Sequence, residues 1–537
     1  MTMRIYHNYS QYDPIRLEVY KHFFSAIAEE MGAILRKASF SPNIKERRDY
    51  SCAIFDANGN MIAQAAHIPV HLGSMPLSVK SAIAKFIQPG EPLQPEDTII
   101  LNDPFLGGTH LPDITLVTPV FLNEKYTPVA FVASRAHHAD IGGITPGSMP
   151  IAREIYQEGL IIPPVKLVNA GTLNQDILDL ILANVRTPDE RNGDLNAQIG
   201  ANLRGVKRLG ELMRRYSLKE VSRYMQELLL YTERMTRQLL SDLPDGKFSF
   251  IDHLDNNGIT NEEIILKVTI TIQGDTAVVD FSGSAPQQEG SVNAVYAITL
   301  SAVNYVFRSL ISLDVPNNSG CLIPIQIVAP RGSIVNAVQP APVAGGNVET
   351  SQRIVDVLLG ALAQACPDRI PAASQGTMNN VSIGGWDPER NRFFTYYETI
   401  GGGMGATPSA EGISAIHSHM TNTLNTPIEA LEYAYPLQVI RYCIREHSGG
   451  IGKYNGGDGI IREVRLLANA QVTLLSERRS TQPYGLSGGT SGQRGENMLI
   501  HGSDVTILPG KGSFYCSEGD ILSIKTPGGG GYGTKPD

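Results

Sequence analysis

Two stretches hold the side chains best suited to chemistry. They are Asn102-Asp103-Pro104-Phe105-Leu106-Gly107-Gly108-Thr109-His110-Leu111-Pro112-Asp113 and Ser134-Arg135-Ala136-His137-His138-Ala139-Asp140-Ile141-Gly142-Gly143. Together they carry three of the chain's 12 histidines and three carboxylates, each beside an apolar run. Imidazole nitrogen and carboxylate oxygen are the donors that Zn²⁺ and Mn²⁺ accept. Side by side, the two stretches would leave a coordination position open, where water can become a nucleophile. That is the chemistry of a metal-dependent hydrolase.

Each motif also has a plainer reading. His110-x-x-Asp113 is stiffened by Pro112 and follows a Gly107-Gly108 turn, so both side chains can face one point; a hydrogen-bonded loop would look the same. Neighbouring residues on a strand point to opposite faces, so only one of His137 and His138 can join the site. His137 is the chosen ligand and His138 the alternative. Asp140 is expected to accept from a ligand imidazole and fix its tautomer. Asp49, in Glu46-Arg47-Arg48-Asp49, is a fourth ligand or an ion-pair partner of an arginine. His67 and His71 flank Pro69, which makes helical ligand geometry doubtful; they read as pocket wall or core, or as a proton shuttle. Gly450-Ile451-Gly452-Lys453 and Gly510-Lys511-Gly512-Ser513 do not fit the phosphate-binding pattern GxxxxGK[ST], so ATP is not expected to bind this chain.

The elements that must position these residues follow from periodicity. Leu17, Tyr20, Phe24, Ile27, Met31 and Leu35 recur at three and four, predicting a helix over 14–38 that packs on a sheet. Strands are expected over 51–56 and 61–65, joined by a turn at Asn58-Gly59. A helix over 77–87 and a buried strand over 98–102 follow. A hairpin over 115–122 and 128–134 turns at Asn123-Glu124-Lys125. This order sets Asp49, His110, Asp113 and His137 at or just beyond strand ends. Residues 173–240 are mostly helical. Strands are expected over 248–252, 264–272 and 277–281, then helices over 293–310 and 350–365. Beyond residue 460 come short strands (463–467, 472–475, 498–501, 505–508, 521–524) between glycine turns. The expected fold is mixed α/β: an N-terminal mixed sheet with the metal site, central long helices, and a glycine-rich all-β C-terminal region. Soft boundaries divide 1–245, 246–460 and 461–537. The glycine patches 401–405, 449–459 and 528–533 read as local structure rather than linkers.

Composition sets the outer limits. A chain of 537 residues exceeds one ordinary core, and 42% hydrophobic with 18% charged residues argues for a packed interior. The net charge of −9 and the lack of a long basic run argue against nucleic-acid binding. Five cysteines with no CxxC pair read as reduced thiols. The polar start over 1–13 has no apolar core of a signal peptide, and no apolar run is long enough to span a bilayer. A cytoplasmic location is expected.

Further motifs carry a family resemblance: Glu46-Arg47-Arg48-Asp49-Tyr50-Ser51, Asn102-Asp103-Pro104 with Gly107-Gly108-Thr109-His110, and Ala136-His137-His138-Ala139-Asp140-Ile141-Gly142-Gly143. To these add Asp280-Phe281-Ser282-Gly283-Ser284, Gly345-Gly346-Asn347-Val348-Glu349-Thr350-Ser351-Gln352, Glu477-Arg478-Arg479, and Thr526-Pro527-Gly528-Gly529-Gly530-Gly531-Tyr532-Gly533. In this co-linear set the chain resembles the hydantoinase B/5-oxoprolinase family, as one family-wide domain over about 13–533. The resemblance implies a partner, a hydantoinase A-type subunit with an actin-like ATPase fold. That partner uses ATP to phosphorylate the carbonyl oxygen of a lactam, cyclic imide or ketone, and the B-type subunit completes the reaction in a hetero-oligomer. Water opens the ring in the 5-oxoprolinase, N-methylhydantoinase and caprolactamase members; carbon dioxide is the electrophile in acetone and acetophenone carboxylases. Carried over by motif, the metal ligands fall on Asp49, His110, Asp113 and His137, with Zn or Mn as the ion. Asp140 or His138 would move protons. The expected function is opening of a small cyclic amide; the alternatives are a ketone carboxylase subunit or a non-catalytic assembly subunit with a structural metal.

Overall fold

Asp13 starts the first helix, its carboxylate accepting from the backbone of Ile15 and Arg16, with Pro14 in the first turn where a missing N–H costs nothing. Helix α1 (Pro14–Ala38) buries the expected stripe, Leu17 through Leu35. The computed structural model describes residues 13–535 apart from 66, 87–90, 123–126 and 312–314. The stretch 1–12, the end of the helix expected to reach Ile87, and the turn at Asn123-Glu124-Lys125 lie outside the described residues.

A short helix α2 (Pro42–Lys45) leads to a seven-stranded sheet of β1 (Tyr50–Asp56), β2 (Met61–Gln64), β3 (Thr98–Leu101), β4 (Asp113–Val120), β5 (Ala130–His137), β6 (Val165–Asn169) and β7 (Thr172–Leu173). Its order is β2-β1-β5-β4-β3-β6-β7. Every pairing is antiparallel, where a mixed sheet was expected. Alternate residues of β1 serve two cores. Cys52 and Ile54 pack with α1 and with the helices α5 (Pro188–Tyr216) and α6 (Leu218–Ser241). Ala53 and Phe55 pack with Met75, Val79 and Ala82 of α3 (Ser74–Phe86). A sheet covered on both faces reads as a continuous apolar run. The helical stretch expected over 173–240 is three helices, the first being α4 (Gln175–Ala183).

The central part forms a four-stranded sheet from β8 (Gly246–Leu254), β9 (Ile264–Gln273), β10 (Thr276–Asp280) and β11 (Ile325–Val328), the last pairing parallel to β10. Helices α7 (Tyr296–Ser309) and α8 (Ser351–Ala365) pack beside it, and a π-helical turn, Gly346–Thr350, leads into α8. Two more sheets finish the fold. One holds β12 (Asn380–Asp387) and β13 (Arg392–Glu398) with later strands β16 (Ala470–Leu475) and β19 (Lys511–Cys516). The other, after helix α9 (Ile428–Ala434), holds β14 (Leu437–Arg445), β15 (Gly459–Leu466), β17 (Glu496–His501), β18 (Asp504–Leu508) and β20 (Ile521–Lys525). Both draw strands from either side of residue 460 and enclose one core.

The glycine patches hold backbone against backbone. Gly529 donates its N–H to the Gly457 carbonyl at 2.9 Å and accepts from Gly450 at 2.8 Å. A Cβ on Gly456 would lie 2.0 Å from the Gly529 carbonyl oxygen. Among the described residues, no helix is long and apolar enough to cross a membrane.

Candidate metal centre

Strand register brings the two stretches together. Asp113 opens β4, His137 closes β5, and the two residues are direct cross-strand partners. His110 returns to the same place through a turn in which the Asp113 N–H donates to the His110 carbonyl at 3.1 Å. Gly107 makes the approach possible: its φ is +95°, and a Cβ there would sit 2.5 Å from the Leu77 carbonyl carbon.

Asp113 is the hub. His110 Nε2 lies 3.2 Å and His137 Nδ1 3.4 Å from its Oδ1, and His71 Nε2 lies 3.3 Å from Oδ2. The Thr109 hydroxyl donates to the same Oδ2. His110, Asp113 and His137 each offer one ligand atom within 4.8 Å of the others, and all three residues are buried. Nδ1 of His110 and Nε2 of His137 are buried with no hydrogen-bond partner. Buried polar atoms are normally paired, so unpaired imidazole nitrogens around a carboxylate fit a divalent cation.

The electrostatics agree with that donor set. Burial alone would raise the Asp113 carboxyl, but charge and hydrogen bonding from His110, with hydrogen bonds from His137 and His71, hold it well below its ordinary value. Burial lowers His137 and His71, favouring the neutral imidazole that a metal needs. The Tyr397 ring stacks on His137 at 4.3 Å and 12°, fixing the plane of that imidazole.

The other expected residues lie in several places. Asp49 adjoins the cluster: its carbonyl accepts from the His137 N–H at 3.0 Å, and burial raises its carboxyl. Its Oδ2 is 3.8 Å from an Arg47 nitrogen, the ion-pair alternative, and Asp49 is not one of the three residues whose ligand atoms cluster. His138 turns the other way, its Nε2 meeting Gln198 Oε1 of α5 at 2.9 Å. Asp140, expected to hold a ligand imidazole, instead accepts from the N–H groups of Gly142, Gly147 and Arg186 and pairs with the Arg186 guanidinium at 2.9 Å. It builds the glycine turn because two successive residues at positive φ leave amides that need an acceptor. His67 is half-buried, accepting from the Cys52 N–H and packed edge-on to Tyr50. His71 is the residue sequence reasoning undervalued. It ends a 3₁₀ turn, Pro69–His71, with Nδ1 2.8 Å from Ser51 Oγ and Nε2 toward Asp113. A proline that argues against an α-helix is at home in such a turn, and that was the available signal.

The hydantoinase B/oxoprolinase family model matches residues 13–535. The chain belongs to the hydantoinase B/oxoprolinase family. Among its relatives, 5-oxoprolinase 1 of Arabidopsis thaliana is 42% identical over 97% of this chain and 42% of its own length. An uncharacterized protein of Methanocaldococcus jannaschii is 45% identical over 97% of this chain and 91% of its own. The crystal structure of the ATP-dependent caprolactamase from Pseudomonas jessenii superposes with a TM-score of 0.91 at 30% identity, covering 98% of this chain and 93% of that one. Acetone carboxylase shares the fold, with a TM-score of 0.90 at 18% identity over 97% of this chain and 76% of its own. This chain spans about two fifths of the length of the 5-oxoprolinases it matches.

Proposed function

We propose that this chain is the metal-dependent subunit of an ATP-dependent cyclic amide hydrolase, opening a lactam or hydantoin ring that a hydantoinase A-type partner has phosphorylated. The observation that carries this reading is Asp113 flanked by His110 and His137, with buried imidazole nitrogens that have no other partner. Relatives about 40% identical that are named 5-oxoprolinases favour water, rather than carbon dioxide, as the second reactant.

An amide resists attack because its nitrogen donates into the carbonyl. Phosphorylation of the oxygen withdraws that donation, and ATP is spent for this on the partner. A zinc- or manganese-type ion held by His110, Asp113 and His137, with Asp49 as a fourth ligand, would act as a Lewis acid able to lower the pKa of water to about 7. Thr109 and His71 orient the Asp113 carboxylate. Tyr397 keeps the His137 ring in plane. His138 and Asp140 face Gln198 and Arg186, so the proton-moving role expected of them passes in this reading to His71, which adjoins the cluster. It takes a proton from the attacking water and returns one to the departing ring nitrogen; the acyl phosphate left behind is cleaved by a second water to carboxylate and phosphate.

The test is to co-purify the chain with its ATPase partner, assay metal, and screen lactams for ATP-coupled ring opening. His110→Ala should lose bound metal and ring opening while the partner's ATPase stays largely active. Ring opening at the wild-type rate in His110→Ala overturns the proposal.

A further inference from the structure

The Glu477-Arg478-Arg479 motif treats its two arginines differently. Arg478 sits at φ +58°, and its guanidinium meets two carboxylates, Asp252 at 2.6 Å and Asp356 at 2.7 Å. Arg479 meets neutral acceptors instead. Its Nη1 donates to Asn379 Oδ1 at 2.8 Å and to the Glu477 carbonyl at 2.7 Å, and its Nη2 to Asn497 Oδ1 at 2.8 Å. Its Nε is buried with no hydrogen-bond partner. Burial, helped by the like charge of Arg445, outweighs Glu349, Asp255 and Glu477 and lowers this guanidinium from 12.5 to about 10. A buried cation without a paired anion is costly to keep.

Arg479 lines an open cleft of about 630 Å³, within the size range of small-molecule sites, that shares no lining residue with the metal centre. Two further arginines reach it from separate segments. Arg445, the last residue of β14, donates to the carbonyls of Arg494 and Thr526 and to Gln493 Oε1. Arg494, just before β17, donates to the Ser480 carbonyl at 3.3 Å. Among the described residues, the hydrogen bonds of all three guanidiniums go to neutral oxygens. The two carboxylates of the cleft are already committed. Asp255 accepts from the N–H groups of Arg479, Ser480 and Thr481 and from the Thr481 hydroxyl. Glu496 pairs with Lys525 at 2.6 Å. Glycines leave Arg479 uncovered: a Cβ on Gly495 would lie 2.6 Å from its Nη1, and one on Gly510 3.3 Å from its Cγ.

We propose that this cleft is a second ligand site, in which Arg445, Arg479 and Arg494 take a phosphate-type oxyanion, free or carried on a small ester. Three forks of N–H donors suit an ion with several oxygens, and guanidinium matches phosphate through paired bonds. A monocarboxylate offers two oxygens and one charge, which leaves two of the three cations unanswered. The positive charge is local, because the chain as a whole carries a net charge of −9. Ile507, Leu508 and Pro509 complete the wall, where the carbon part of an ester can lie. The site does not depend on the ring-opening reading.

Isothermal titration calorimetry on the full chain at constant ionic strength tests this, with inorganic phosphate as the probe. The wild type should bind phosphate about tenfold or more tightly than acetate. Arg494→Gln alters an exposed side chain and should weaken phosphate binding about tenfold with an unchanged melting temperature. Arg445→Gln should weaken it to a similar degree. Arg479→Gln, with folding checked by thermal unfolding, should abolish it. Binding should persist in His110→Ala, where a phosphate held by the metal centre would be lost. Phenyl phosphate binding more tightly than phosphate assigns the site to an ester; binding no more tightly assigns it to the free ion. No phosphate binding by the wild type, acetate bound as tightly as phosphate, undiminished binding in both Arg445→Gln and Arg494→Gln, or loss in His110→Ala overturns the site.

Discussion

Three imidazoles and one hydroxyl converge on the two oxygens of Asp113, and two of these groups, His71 and Thr109, orient the carboxylate without being placed to hold an ion. Thr109→Val removes only the hydroxyl and preserves the shape. Loss of such an orienting bond typically costs about 10–100-fold in metal affinity. Titration against a chelating dye should show that loss with an unchanged melting temperature; wild-type affinity would show that Thr109 is incidental. At this scale the sequence was legible where chemistry and register coincide. Asp113 and His137 end facing strands, and His110 sits three residues back across a stiff turn. His71 was obscured by Pro69, because a 3₁₀ turn and a broken helix look alike in one dimension. Asp140 misled for the opposite reason: it sits in the right motif, but the backbone amides of its own turn claim both oxygens.

Among the elements, the entry to α8 is the most constrained. Gly346 begins the π-helical turn, and a Cβ there would lie 1.8 Å from the Asn293 carbonyl oxygen and 2.3 Å from its carbon. Neither atom belongs to a side chain that could swing away. Gly346→Ala should therefore shift the start of the helix that carries Gln352 and Asp356, at a cost of about 3 kcal/mol or more. A urea midpoint equal to that of the wild type would refute the constraint. Strong stripes such as α1 were readable because six buried residues keep the helical period. Strand β12 was not, since Gly384 and Gly385 interrupt its pattern; a Cβ on Gly384 would meet Pro146 at 2.3 Å. The joint between α5 and α6 was hidden as well. It turns at Ser217, with φ +69° and neither glycine nor proline to mark it.

Across the molecule, single buried carboxyls tie distant segments together. Glu158 is fully buried and accepts from the N–H groups of Val343 and Ala344, at 2.9 Å to each, joining the N-terminal half to the approach of the π-helical turn. Burial, opposed by those two backbone hydrogen bonds, pushes it up to about 8 from an ordinary 4.5. Between those values the folded chain binds more protons than the unfolded one, so stability falls as pH rises through that window. Glu158→Gln keeps an acceptor and cannot ionise. Its melting temperature should decline less steeply than that of the wild type from about pH 5 to 8, and parallel curves would refute the assignment. The sheet contents were only partly readable at this scale, because β12 pairs with β16 across more than eighty residues, a separation that no local pattern encodes.

The layered glycines near Gly457 and Gly529 carry one more implication. Where main chains touch directly, there is no side chain to trim, rotate or exchange, and the smallest possible replacement already places a methyl against an oxygen. Such a seam cannot drift by small steps. An engineer wishing to alter it would have to transplant the opposing segments as a matched set.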